Sequence, residues 1–259
     1  MKPKRQRSAR LSLPSGPFLR KIAHNPEKWD PSRFPFNLKP FSQGIDIEFR
    51  SRVTFFVGEN GSGKSTLLEA IAECCGFNPE GGNRDHHYAS FADRSDLAQA
   101  LRLTWQPKTF EGFFMRAESF HNFATYIQEA SPEMRAYGGK SLHEQSHGES
   151  FLALFRNRFE QGLYILDEPE AALSPQRQLT LLKIIHDLEK PGHAQFLIST
   201  HSPILLSYPG AVLLSLDGDS IQEIAYKETE HYRVTRDFLN GPERYFKYLF
   251  DVDDEEKQS

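Results

Sequence analysis

Disulfide chemistry is the first thing this chain lacks. Its 259 residues hold two cysteines, and these are neighbours, Cys74 and Cys75. Adjacent cysteines cannot staple distant segments, so a disulfide framework is excluded. Late in an apolar helix, they are expected to be buried thiols of a reducing, cytoplasmic protein. Long hydrophobic runs are missing too. No stretch approaches the ~18 apolar residues of a membrane helix, and the basic start is not followed by the apolar segment of a secretory signal. There is no internal repeat and no heptad run, which leaves no room for long coiled-coil arms. His86 and His87 show no metal-ligand spacing, so a zinc site is not expected. Charge of one sign is scarce: 31 Lys and Arg face 35 Asp and Glu, a net charge of -4. No base-reading motif accompanies this slightly acidic balance.

What charge imbalance there is sits at the ends. Residues 1–10 carry Lys2, Lys4, Arg5, Arg7 and Arg10, and residues 251–259 carry Asp251, Asp253, Asp254, Glu255 and Glu256. Such runs read as flexible solvated tails, basic in front and acidic behind. Between them, residues 11–250 are long enough for one α/β domain.

Residues 11–40 are rich in proline and aromatics and read as an irregular lead-in with short edge strands. Residues 45–49 alternate apolar and polar, as a half-exposed strand does. Val53–Val57 is continuous, β-branched and aromatic, as a buried central strand is. A helix Lys64–Cys75 follows, then a polar loop over 76–95 and strands Leu101–Trp105 and Gly112–Arg116. Residues 120–129 read as helix, 131–146 as loop and 149–160 as helix. The back half is cleaner: a strand at 163–166, a helix Pro175–Glu189 and a strand Ala194–Ser199. A hairpin turns at Asp217-Gly218-Asp219 between strands at 211–216 and 220–225. Short helices at 231–239 and Pro242–Phe250 close the chain. Strands alternating with helices predict an α/β sandwich with a mainly parallel sheet.

Gly58-Glu59-Asn60-Gly61-Ser62-Gly63-Lys64-Ser65 matches the Walker A pattern of a phosphate-binding loop. Glycines let the backbone turn tightly and bring N–H groups against phosphate oxygens. The helix that starts at Lys64 aims its positive end at the same oxygens. Lys64 is expected to reach the β- and γ-phosphates, Ser65 to ligate Mg²⁺ and Thr66 to support the α-phosphate. Further on, the apolar run 162–166 delivers Asp167 and Glu168 at a strand's C-terminal end, where open α/β sheets place ligands. Asp167 is expected to hold Mg²⁺, and Glu168 to polarise the attacking water.

Asp167-Glu168-Pro169-Glu170-Ala171-Ala172-Leu173-Ser174 resembles the corresponding run of the ABC-type ATPases, over a stretch from about residue 45 to 216. The resemblance is nearest to small stand-alone bacterial ATPases related to the heads of SMC, DNA-repair and defence-associated proteins. It implies a P-loop NTPase fold with an antiparallel and helical portion, the latter at roughly 76–160. It implies that His201, in Ser199-Thr200-His201-Ser202, contacts the γ-phosphate and the attacking water. It implies that Ser146 and Gly148, in Ser146-His147-Gly148-Glu149, reach the nucleotide of a second subunit. The pattern departs from the family at Gln145, His147, Glu149 and Ser174. Glutamine is absent after the strand Gly112–Arg116, where Glu118 stands as a substitute near Mg²⁺. An adenine-stacking aromatic is sought among Phe34, Phe36 and Phe41, for any one of which core or edge packing is the better reading.

The implied activity is hydrolysis of Mg-ATP by a head-to-tail homodimer that drives or gates a macromolecule, with nucleic acid and effector proteins as the open partner classes. Two alternatives stand beside it. One is the nucleotide-binding subunit of a membrane transporter, against which the departures weigh. The other is an ATP switch without turnover, against which Glu168 and His201 weigh.

Overall fold

The computed structural model describes residues 16–78, 81, 95–117, 152, 155 and 161–250. The tails, and the segments read from sequence as helix and loop between 120 and 146, lie outside them.

Two sheets organise the described chain. The smaller is antiparallel and three-stranded, in the order β2–β1–β4, from β1 (Leu19–His24), β2 (Asp46–Glu48) and β4 (Leu101–Trp105). The larger has six strands in the order β5–β6–β7–β3–β8–β9. These are β3 (Val53–Val57), β5 (Gly112–Arg116), β6 (Gly162–Asp167), β7 (Ala194–Ser199), β8 (Val212–Ser215) and β9 (Gln222–Glu223). All its pairings are parallel except the β8–β9 hairpin. The α/β expectation with a mainly parallel sheet therefore holds.

Helix α1 (Lys64–Cys75) packs between the sheets, and α3 (Pro175–Glu189) covers the opposite face of the larger one. Every residue of β3, β6 and β7 is buried. That follows from apolar layers on both faces, which remove the polar half of the usual strand alternation. One core contains Phe55, Phe196, Ile198, Leu181 and Ile185, and the other Phe41, Phe56, Leu67, Ile71 and Ile165. Gln195 crosses between the sheets. Its amide accepts from Leu19 N–H at 2.8 Å and donates to Leu19 C=O at 3.0 Å. Both bonds are needed, because the side chain is fully buried.

The structure corrects the lead-in. Leu19–His24 is the middle strand of its sheet, paired on both sides. Its second partner, β4, comes some eighty residues later, a pairing that local composition does not reveal. A short helix, α2 (Asp96–Ala100), stands just before β4, where the sequence reading assigned nothing. Ser95 caps it, accepting from Ala98 N–H at 3.3 Å. At 220–225 only Gln222 and Glu223 pair as strand. Phe36 and Phe41 are core residues, whereas Phe34 is exposed. Cys75 is buried and Cys74 partly so. Beyond β7 come α4 (Pro203–Leu206), then α5 (Glu230–Asn240) and α6 (Pro242–Phe250), the last two without a buried residue.

Candidate nucleotide site

Register brings the candidate groups together. In the parallel ladder Arg116 is opposite Asp167, and Asp167 is opposite Ser199. These are the last residues of β5, β6 and β7. The Gly-rich loop leaves the end of β3, the neighbour of β7. One edge of the sheet thus carries the loop, the acidic pair and the segment leading to His201.

The loop is tightly built. Gly63 immediately precedes α1 with φ +99°, and no side chain caps the helix start. A Cβ on Gly63 would stand 2.9 Å from Phe41 Cζ, so both the dihedral and the packing require glycine. The uncapped first turn leaves backbone N–H groups of α1 directed at the loop. Lys64 is buried, and its ammonium donates to Gly58 C=O at 2.7 Å and Glu59 C=O at 2.9 Å. Burial pushes its pKa down, against the pull of Glu168, Asp167, Asp217 and Glu170. Asp217 braces the loop from the β8–β9 turn, accepting from Glu59 N–H at 2.7 Å.

Asp167 is buried beneath the loop. It accepts from Ser65 Oγ–H at 3.2 Å and from the hydroxyl of Ser199. Arg116 Nε lies 3.5 Å from its other oxygen, and Arg116 also pairs with Glu69, one turn along α1 from Ser65. Burial raises the Glu69 pKa, and Arg116 opposes that rise. A hydroxyl and a carboxylate from separate elements therefore meet where α1 begins.

Glu168 has φ 50° and ψ 52°, and it is the one non-glycine with positive φ among the described residues. Such a conformation costs of order 1 kcal/mol or more and persists where surroundings impose it. Here its N–H donates to Ser199 C=O at 3.1 Å. The turn aims its carboxylate outward, 3.3 Å from His201 Nε2. That contact is in ion-pair range, and no aligned hydrogen bond joins the imidazole to the carboxylate. Glu170 holds the His201 backbone, accepting its N–H at 2.6 Å, and burial raises the Glu170 pKa. Gln178 ties the same regions from behind. It accepts from Ser202 Oγ–H and donates to Leu173 C=O at 3.1 Å.

The residues 58–66, Asp167, Glu168 and His201, predicted from sequence, thus line one site. Glu118, Ser146 and Gly148 lie outside the described residues. Sequence reasoning missed Arg116, Glu69, Ser199, Glu170, Asp217 and His231. Ser199 and Glu170 were legible as neighbours within quoted motifs. Asp217 had been read only as a turn residue, and nothing local marked His231.

Domain-family models match two adjoining segments: residues 36–147 fit "AAA domain", and residues 150–207 fit "AAA domain, putative AbiEii toxin, Type IV TA system". Both matches are to AAA-type domains, and together they span the Gly-rich loop, the acidic pair and His201. Among curated proteins it is similar to the xylose import ATP-binding protein XylG of Shigella flexneri serotype 5b and of Escherichia coli K12. Each is 29% identical over 192 residues, covering 63% of this chain and 36% of the relative. The chain thus spans about a third of the length of those relatives. Among solved structures it is similar to the SMC head domain from Thermotoga maritima, at 16% identity and a TM-score of 0.45, covering 80% of this chain and 98% of that one. It is also similar to cbiO1 from Clostridium perfringens, part of the ABC transporter complex cbiONQ, at 18% identity and 0.45, covering 81% and 91%. Among the described residues no helix is long and apolar enough to cross a membrane.

Proposed function

We propose that the protein binds Mg-ATP in the loop 58–66 and hydrolyses it with Glu168 as the base for the attacking water. The observation that carries this is the meeting of Lys64, Ser65, Asp167, Glu168 and His201 at one sheet edge. Lys64 spends its hydrogen bonds on loop carbonyls, and phosphate oxygens are stronger acceptors within its reach. The paired Ser65 hydroxyl and Asp167 carboxylate suit Mg²⁺, which takes few protein ligands and completes its shell with phosphates and water. When bound, the ion neutralises charge that develops on the β- and γ-phosphates.

The chain's own residues supply the rest. Lys64 stabilises the phosphate being transferred. Glu168, exposed enough to meet water, takes its proton. His201 stands beside Glu168 to orient that water and the γ-phosphate. Ser199 donates a hydrogen bond to one oxygen of the Asp167 carboxylate, and Arg116 forms an ion pair with the other.

The wider reading is a head-to-tail dimer closed by ATP, with Ser146 and Gly148 of each subunit completing the other's site. Hydrolysis would release the dimer and so drive or gate a nucleic acid or an effector protein. The test is steady-state ATPase rate against protein concentration. A specific rate that rises with concentration supports the dimer. A constant rate from a protein that stays monomeric with saturating Mg-ATP excludes it. A second reading, a transporter's nucleotide-binding subunit, is favoured by the likeness to sugar-import ATP-binding proteins. Recovery of an integral membrane protein with the tagged chain would select it.

A further inference from the structure

No motif points to His231, yet it touches a residue on which the proposed reaction relies. Its Nε2 lies 2.7 Å from Nδ1 of His201, with ring centroids 4.8 Å apart. The placement is built rather than incidental. Thr229, 1% exposed, caps α5 by accepting from Tyr232 N–H at 3.3 Å. The Thr229 hydroxyl also donates to Tyr226 C=O at 2.8 Å. Tyr226 in turn donates its phenol to Pro203 C=O at 3.0 Å, just after His201, and its ring packs on Tyr232 at 4.6 Å. The first turn of α5 is thereby fixed to the segment that carries His201.

Together with the Glu168 carboxylate, the contact constrains where the His201 proton sits. At 2.7 Å one ring nitrogen donates and the other accepts. A bare Nε2 on His201 would place its partial negative charge beside the Glu168 carboxylate, 3.3 Å away. With His231 neutral, two arrangements avoid this. Either neutral His231 donates to neutral His201, or neutral His231 accepts from doubly protonated His201. Both leave a proton on His201 Nε2. Burial, His201 and Lys64 hold the His231 pKa below its ordinary value, against Asp217 and Glu230, which fits a neutral His231.

We propose that His231 is a positioning residue: through Nδ1 of His201 it keeps a proton on His201 Nε2, beside Glu168, for the phosphate to be cleaved. This rests on the ATPase reading above, and it makes the first turn of α5 part of the nucleotide site.

The test combines kinetics with ¹⁵N-histidine NMR of the full chain, His201→Asn serving to assign the His201 signals. In the nucleotide-free wild type, His201 is expected to carry its proton on Nε2. In His231→Ala that preference is expected to be lost. In His231→Gln, whose amide can donate to the same nitrogen, it returns. Turnover of Mg-ATP should fall about ten-fold in His231→Ala, the worth of one buried hydrogen bond. KM and melting temperature should stay near wild type, and the Gln variant should recover most of the rate. An unchanged His201 tautomer together with an unchanged rate in His231→Ala overturns the proposal. So does a lowered melting temperature with no recovery in the Gln variant, which marks a merely structural contact. A wild type that never turns over ATP strikes the ATPase reading itself. Normal turnover indifferent to His231 strikes the positioning alone.

Discussion

The C-terminal edge of the parallel sheet and the C-terminal helices are built on opposite terms. At the sheet edge, β6 and β7 bury every residue, and polar groups such as Asp167, Ser199 and Gln178 are buried and hydrogen-bonded. In α5 and α6 no residue is buried, and Leu239, Tyr248 and Phe250 are 71%, 83% and 70% exposed. Dense packing and paired polar groups hold the side chains of the first region, because movement would open a cavity or orphan a polar group. The second is held at its first turn, by Thr229, Tyr226 and His231. Precision in this molecule is therefore local to the sheet edge, and the helices share in it only where they touch His201.

Substitutions can break that contrast. The largest stability effect is expected from Phe196→Ala in β7, fully buried in the core. It should cost about 3–5 kcal/mol, read from urea denaturation. A loss below about 1 kcal/mol would mean that the sheet is looser than its packing implies. Lys64→Ala should weaken Mg-ATP binding roughly a hundred-fold in calorimetric titration, through loss of the buried cation proposed to donate to the phosphates. Retained affinity would move the nucleotide away from the loop.

Glu170→Gln sharpens the comparison through pH. Burial raises the Glu170 pKa in the folded state, so the native protein binds more protons than the unfolded chain as pH rises past the ordinary carboxylate value. Stability contributed at low pH is lost over that window as the buried side chain ionises. The Gln variant keeps an acceptor for His201 N–H and carries no charge. It should match wild type near pH 4.5 and become the more stable of the two as pH rises toward 7, measured by denaturant midpoints. A gap that narrows with rising pH contradicts this. The smallest effect is expected from Tyr248→Ala in α6, within about 0.5 kcal/mol of wild type. A larger loss would show that the exposed helices carry more of the fold than their burial indicates.

Much of this was legible beforehand because it is local. Lys64–Cys75, Pro175–Glu189 and Ala194–Ser199 follow from period, proline placement and β-branched runs. The phosphate loop and the acidic pair are contiguous motifs whose residue types state their chemistry. What was not legible is what depends on pairing at a distance. β1 reads as an edge until β4 arrives to flank it. Arg116 reads as a strand end until register sets it opposite Asp167. His231 reads as a surface helix residue until the turn at Tyr226 returns the chain to His201.

The most direct test of the central claim is single-turnover hydrolysis of Mg-ATP, comparing wild type with Glu168→Gln at saturating protein. The account predicts that both proteins bind ATP alike and that cleavage slows about a hundred-fold or more in the variant, the usual contribution of a positioned base. Equal cleavage rates in the two proteins would contradict it, because the strained turn at Glu168 would then serve no part of the reaction.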